Sequence, residues 1–512
     1  MTTSAPDSHS PLVAVAHGYF GYSEVPPFSP AELYPEYPFP KAALSPGRNP
    51  AYAAVREALQ LLAFDSGRIG TRDWNPLRVI IEPGQTVVVK PNFVRQFRES
   101  SPDHANCLVT HGAIVRAAVD YIFLALDGRG RIVIADAPQN DADFGALRRI
   151  AGLDALQAFY RRCAGFEVEV YDLRQERAHK IEGVIVGHEP LPGDPRGYVT
   201  VNLASQSAFA DIDALSSRLY GAEYDTAELH QHHCGGIHEY LISRSVLEAD
   251  AVIGLPKLKT HKKVGLTACM KNLVGINGNK NWLPHYRIGT AAEGGDEFAK
   301  DGARQRWERH AVAQFKRLFP HLGRMRAVVA RPIKRLGQRI FGDTNHGTIR
   351  SGNWHGNDTA WRMVHDLCRV LLYADVSGVL HEHRMRRFFN IVDAIIAGEG
   401  DGPLDPTARA LGAVLAGFDP VAVDSTCARL AGFDYREIPM LAQATRAHRF
   451  PLTLAAHPDF RCVSTDQARC GPVCQLLPWG VPWSAPLGWQ RARGPGAHEG
   501  PRTAHGSEAA CV

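Results

Sequence analysis

At 512 residues with 45% hydrophobic content, the chain can bury a large core spread over two or three domains. The formal net charge of +4 is local in origin: Arg304 to Arg339 holds 11 Lys and Arg against the single acid Glu308, so that strip carries +10 and the remainder about −6. Composition excludes a membrane span, since no stretch approaches the roughly 18 to 20 consecutive apolar residues required, and it excludes a small disulfide scaffold, since the ten cysteines are scattered without dense spacing.

The start, MTTSAPDSHSPL, lacks the basic head and apolar core of a secretory signal, so a cytoplasmic protein is expected. Residues 1–50 are rich in proline and aromatics and read as an irregular wrap. Residues 51–284 read as a first α/β part: a helix over Ala51–Leu62, a buried strand TVVVK at Thr86–Lys90, a helix over His111–Leu126, the strand RIVIADAP, a helix over Phe144–Tyr160 and a strand over Glu167–Tyr171. A buried strand at Ala251–Leu255 ends at Pro256, and helical spacing follows over Val264–Leu273. Residues 285–389 break the alternation and read as a helical basic insertion. Residues 390–480, with the strand NIVDAII and a helix after Val421, read as a second α/β part, and residues 481–512 as a disordered tail. The predicted fold class is α/β: a mostly parallel sheet with helices on both faces.

Ala249 to Asn281, ADAVIGLPKLKTHKKVGLTACMKNLVGINGNKN, is the most informative segment, with six lysines and His261 placed after a buried strand. Open α/β sheets place ligands at the carboxyl ends of their strands, and Lys257, Lys259, Thr260 and His261 fall there. Lys90 and Asn92 repeat the pattern of strand, cation, proline and polar tip. The reading is an anion site in which Lys90, Lys257, Lys259, Lys271 and Lys280 neutralise charge, Asn92, Thr267 and Asn272 orient the ligand, and His261 serves as acid or base. Lysines in a desolvated cluster repel one another, so Lys259 or Lys271 is a candidate neutral base or nucleophile.

Carboxylates also gather at predicted strand ends. Asp136, Asp393, Glu399 and Asp424 form a candidate oxygen set for a divalent cation, Mg²⁺ or Mn²⁺. Asp419, before Pro420, is instead a candidate helix cap. His230, His232, His233 and His238 lack the spacing of a closed zinc site and are read as donors to the same anionic pocket or as backbone-bonded loop residues. Cys462, Cys470 and Cys474 lack the run of an iron–sulfur site, so no cluster is expected. The basic strip of residues 304–339 reads as a cap over the site or as a face for an anionic membrane surface. It has few aromatics to stack on bases, so nucleic acid is not an expected partner.

VVVKPNFV, RIVIADAP, the lysine segment, NIVDAIIAGEGDGP and AGFDPVAVD together, over roughly residues 85 to 435, resemble in order the family called domain of unknown function 362. The chain looks like the longer form, with a central insertion that includes SGNWHGNDTAWRMVHDL and without the ferredoxin-like appendage of some relatives. This resemblance implies a fold and no reaction. The lysine segment is also similar to that of the lactate racemase family, in which a lysine holds a nickel pincer cofactor and histidines move a proton; by position that implies Lys271 as tether and His261 as proton carrier. The expected function is binding of a small anionic metabolite, phosphorylated or carboxylated, with a divalent metal. The alternative is a peripheral-membrane or polyanion-associated partner in a surface-polymer pathway.

Overall fold

A computed structural model describes residues 10–489 apart from residues 99, 102–104, 182–183, 222–225, 303–304, 306, 308–347 and 456–458. The basic strip of residues 304–339 therefore falls almost wholly outside the described residues.

Eleven strands form the central sheet: β1 (Leu12–His17), β2 (Thr86–Pro91), β3 (Arg131–Asp136), β4 (Val168–Asp172), β5 (Ala251–Leu255), β6 (Lys257–His261), β7 (Gly265–Thr267), β8 (Arg387–Glu399), β9 (Thr407–Gly417), β10 (Arg461–Ser464) and β11 (Gly471–Pro472). The order is β11–β10–β1–β9–β8–β5–β2–β3–β4, with β6 beside β8 and β7 beside β6. From β8 across β5, β2 and β3 to β4 every pairing is parallel, whereas β9 runs antiparallel to both β8 and β1.

Period-two alternation divides the apolar residues between two cores. Val87, Val89, Ile132, Ile134, Ala251 and Ile253 pack on one face with helices α1 (Pro50–Leu61), α2 (Gly112–Leu126) and α3 (Leu153–Ala164). Val88, Val133 and Val252 pack on the other with α4 (Ala360–Tyr373) and α5 (Pro420–Leu430). The result is an α/β fold with helices on both faces of a mostly parallel sheet. Helix starts follow local chemistry. Asn49 accepts from Tyr52 N at 3.2 Å ahead of Pro50, and Asp419 accepts from Val421 N and Ala422 N at 2.9 and 3.0 Å ahead of Pro420, so Asp419 is a cap.

Four readings change. Residues 1–50 are not wholly an irregular wrap, because Leu12–His17 enters the sheet between β9 and β10. The helix expected over Phe144–Tyr160 is two, Phe144–Ile150 and α3, divided at Gly152, whose φ of +61° ends one and starts the other. The helix expected over Val264–Leu273 is instead β7 followed by a short helix, Cys269–Asn272, because β6 and β7 close a hairpin across Gly265 at φ +85°. The start of the predicted tail is ordered: Trp483 and Trp489 are buried, and Trp489 Nε1 donates to Lys262 O at 2.6 Å.

Candidate functional site

Parallel strands β2 and β3 end side by side, so Lys90 and Asp136 leave the sheet at the same edge. Their side chains form a buried ion pair at 2.6 Å. Lys90 Nζ also donates to Pro91 O at 2.8 Å and Asn272 Oδ1 at 3.3 Å, while Asp136 Oδ2 accepts from Phe93 N at 2.7 Å. Burial lowers the Lys90 pKa and the charge of Asp136 opposes that.

Immediately beyond this pair opens a cavity of about 520 Å³, within the size range of small-molecule sites. The β6–β7 hairpin forms one wall: Lys259 is the ladder partner of Thr267 and His261 of Gly265, so alternation sends Lys259, His261 and Thr267 to the same side. Asn92, Asp136, Lys271, Asn272 and Lys280 line it too, so eight of the thirteen residues singled out from sequence converge here. Lys90 stands directly behind Asp136. The wall also includes Lys262, Lys263, Tyr220, His285, Tyr286, Glu297, Arg350, Asp401 and Asp405.

The lysines differ in how they are held. Lys259 Nζ donates to Asn92 Oδ1 at 2.9 Å and to Leu108 O; Lys280 Nζ donates to Val274 O and Asn277 O, both at 3.1 Å; Lys263 Nζ donates to Ser351 O; Lys262 pairs with Asp401 at 3.2 Å. Lys271 Nζ has no hydrogen-bond or ion-pair partner among the described residues. Burial pulls Lys259 and Lys280 down to about 7 and Lys263 and Lys271 to about 8; for Lys271 the charge of Lys90 adds to it.

Two imidazoles face the same space in opposite tautomers. His261 Nδ1 accepts from Lys263 N at 3.1 Å, which leaves the proton on Nε2. His285 Nδ1 lies 2.8 Å from Leu283 O; a carbonyl only accepts, so Nδ1 carries the proton and Nε2 a lone pair. Burial, followed by the charges of Lys271 and Lys263, pushes His261 well below its ordinary value and His285 down to about 3, so both rings are neutral at pH 7. The buried Thr267 Oγ1 has no hydrogen-bond partner among the described residues.

The remaining candidates lie elsewhere. Lys257 and Asp393 are ladder partners in β6 and β8 and form an ion pair at 2.6 Å, both fully buried; Tyr22 donates to Asp393 Oδ1 at 2.6 Å and His111 N to Oδ2 at 3.0 Å. The ladder shifts register between Lys257 and Lys259, and the two lysines end in different surroundings. Glu399 pairs with Arg409 at 3.5 Å and accepts from Ser484 N, away from the cavity that Asp401 lines. Asp424 accepts from Cys269 N and Met270 N at 2.7 and 3.1 Å beneath the Cys269–Asn272 helix. The four carboxylates predicted as metal ligands thus do not converge, and each is already engaged. Among the described residues no group of three or more His, Cys, Asp or Glu could hold a metal ion. That donor set does not fit a divalent cation. The histidines at 230, 232, 233 and 238 do not reach the cavity either: His230 Nε2 meets Leu219 O, His232 pairs with Glu239 at 2.8 Å, and His233 donates to Trp282 O at 2.7 Å.

The segment from the edge of the Tyr198–Asn202 strand to the end of α5 includes the lysine wall, β8 and Asp424. Residues 201–429 match the family model described as domain of unknown function (DUF362). The chain carries a DUF362 domain. The match takes in β5 to β9, including the lysine hairpin and both cavity histidines, but not β2 and β3, which bring Lys90, Asn92 and Asp136 to the same end of the sheet. A search of curated proteins finds no match to this chain. Among the described residues no helix is long and apolar enough to cross a membrane.

His285 and Tyr286 escaped sequence reading because they follow the lysine segment where the α/β rhythm stops. No period-two signal marks them: the Pro284–Arg287 strand, PHYR, is four residues long and is held by pairing with the distant Leu219–Gly221.

Proposed function

We propose that this cavity binds a small phosphorylated or carboxylated metabolite. The observation that carries the reading is the convergence of Lys259, Lys263, Lys271 and Lys280 on one desolvated space, beside an orphaned Thr267 hydroxyl. Buried amines that repel one another take up protons readily when an anion enters, so the ligand restores their charge and gains charge-assisted hydrogen bonds. Lys90 and Asp136 hold the floor in register, Asn92 and Asn272 offer amide donors and acceptors, and Tyr220 and Tyr286, with ring centroids 5.0 Å apart, give the body of the ligand an aromatic surface.

In this reading His261 is an electrophile and not a strong acid. Its Nε2–H donates to a developing oxyanion while the ring remains neutral, and His285 Nε2, with its free lone pair, is the proton acceptor. Lys259 polarises through Asn92 and the ligand together. No step is assigned to a divalent metal, because the predicted oxygen donors are separated. Lys271 and His261, the pair implied by the racemase resemblance, do share the cavity.

The reading is tested by native purification followed by mass spectrometry of small molecules that leave on denaturation, with orthophosphate and sulfate titrated by calorimetry. Retained anions, or micromolar to millimolar binding of the inorganic ions, support it; Lys259→Ala and His261→Ala variants that fold normally and keep full affinity overturn it.

A further inference from the structure

Within the lysine cluster, one amine stands apart. Lys259, Lys262, Lys263 and Lys280 are each tied to a side-chain or backbone oxygen, whereas Lys271 Nζ reaches the cavity with no partner among the described residues. Its backbone is fixed: it sits in the short helix Cys269–Asn272, whose first amides are held by Asp424 and whose Asn272 is locked to Lys90 O at 2.9 Å. An anion needs cations, and the tied lysines supply them. A free amine on a rigid mount, close to two neutral imidazoles of opposite tautomer, has the attributes of a nucleophile.

We infer that Lys271 forms an imine with an aldehyde or ketone carried by the anionic ligand, so that the substrate class is a 2-oxo acid or a carbonyl-bearing phosphate. This rests on the anion-binding reading above and names the substrate class of the same site. The Lys271 lone pair attacks the carbonyl carbon as the C=O π pair moves onto oxygen, where the His261 Nε2–H stabilises it. His285 Nε2 takes a proton from the new ammonium and returns it to the carbinolamine oxygen. The nitrogen lone pair then closes the C=N bond as the C–O bond breaks and the hydroxyl, taking a second proton from solvent, leaves as water, so each event gives one protonated imine and one water. Nothing is oxidised or reduced. The lowered pKa of Lys271, about 8, supplies a usable fraction of neutral amine near pH 7, where an ordinary lysine would be almost fully charged.

The test incubates the full chain with glyoxylate, pyruvate or glycolaldehyde phosphate, adds sodium borohydride, and maps the reduced adduct by peptide mass spectrometry, with sulfate calorimetry run in parallel on the same preparation. The expected result is one stable secondary amine on Lys271, formed with a pH midpoint near 8, suppressed by excess sulfate and lost in Lys271→Arg. Should that variant fold poorly, sulfate protection of the wild-type chain gives the same answer. Sulfate binding without a Lys271 adduct, or an adduct spread over surface lysines and indifferent to sulfate, overturns the imine and leaves anion binding standing. Absence of both overturns both.

Discussion

Lys90 Nζ and Asp136 Oδ1 meet at 2.6 Å across the ends of two parallel strands, and the backbone of Gly275 passes directly over the contact. A β-carbon at Gly275 would overlap both Asp136 Oδ1 and Lys90 Nζ, so only glycine lets this turn close on the pair, while Ala137 N donates to Gly275 O at 2.8 Å. The pair is the hinge between the sheet and the cavity floor.

Removing one partner leaves a buried charge uncompensated. Lys90→Met is therefore expected to cost about 3–5 kcal/mol in denaturant unfolding, and Gly275→Ala about 1–3 kcal/mol through overpacking. The double variant Lys90→Met with Asp136→Leu should recover most of the Lys90→Met loss. A double variant no more stable than the single one would mean that the pair is not the source of the cost.

Lys257 and Lys259 are two residues apart and are expected to behave oppositely. Lys257→Met strips Asp393 of its partner, so stability falls by about 3–5 kcal/mol while affinity for sulfate is kept. Lys259→Met relieves a desolvated amine but takes the donor from Asn92 Oδ1 and Leu108 O, so stability changes little, while sulfate affinity drops roughly 10- to 100-fold, the equivalent of about 1.5–3 kcal/mol for a charge-assisted hydrogen bond. Thermal unfolding and calorimetry on the two variants check this.

Anion affinity should depend on pH with a definite sign. The lysines must be charged to hold the ligand; those at about 7 and about 8 lose their protons as pH rises through those values. Sulfate, which does not titrate in this range, should therefore bind progressively more weakly from about pH 6.5 to about pH 8.5. A flat calorimetric profile would show that the cavity lysines keep ordinary values near 10.4.

Asp424 gives a second pH signature, in stability. Burial raises its carboxyl to about 7, despite the backbone amides of Met270 and Cys269. Between about pH 4 and pH 7 the folded chain holds a proton that the unfolded chain has lost, so this contribution is complete below about pH 4 and declines by about 1.4 kcal/mol per pH unit as pH rises through the window. Asp424→Asn should remove that slope from the urea unfolding free energy, at the cost of one backbone hydrogen bond.

Much of this was legible in the sequence because the signals are local. Apolar runs closed by proline gave β2 and β5, and alternating strand and helix periods gave the α/β class. The placement of cations near strand ends brought Lys259 and His261 to the cavity and Lys90 to the ion pair behind it. The failures have a common physical cause: a strand end says where a side chain leaves the sheet, not which neighbour it meets. Lys257 looked like Lys259, yet the register shift beside β8 delivered it to Asp393. Glu399 and Asp401 share one glycine loop, and only Asp401 faces the cavity. Leu12–His17 was hidden by proline-rich neighbours although its six residues, LVAVAH, are an apolar strand run.

The account turns on the cavity lysines acting as an anion site. Its most direct test is calorimetric titration of sulfate into the wild-type chain and into Lys259→Met at about pH 6.5. One binding event in the wild type, weakened at least roughly tenfold in the variant, is the predicted result. No heat in the wild type, or equal affinity in the two proteins, would contradict it.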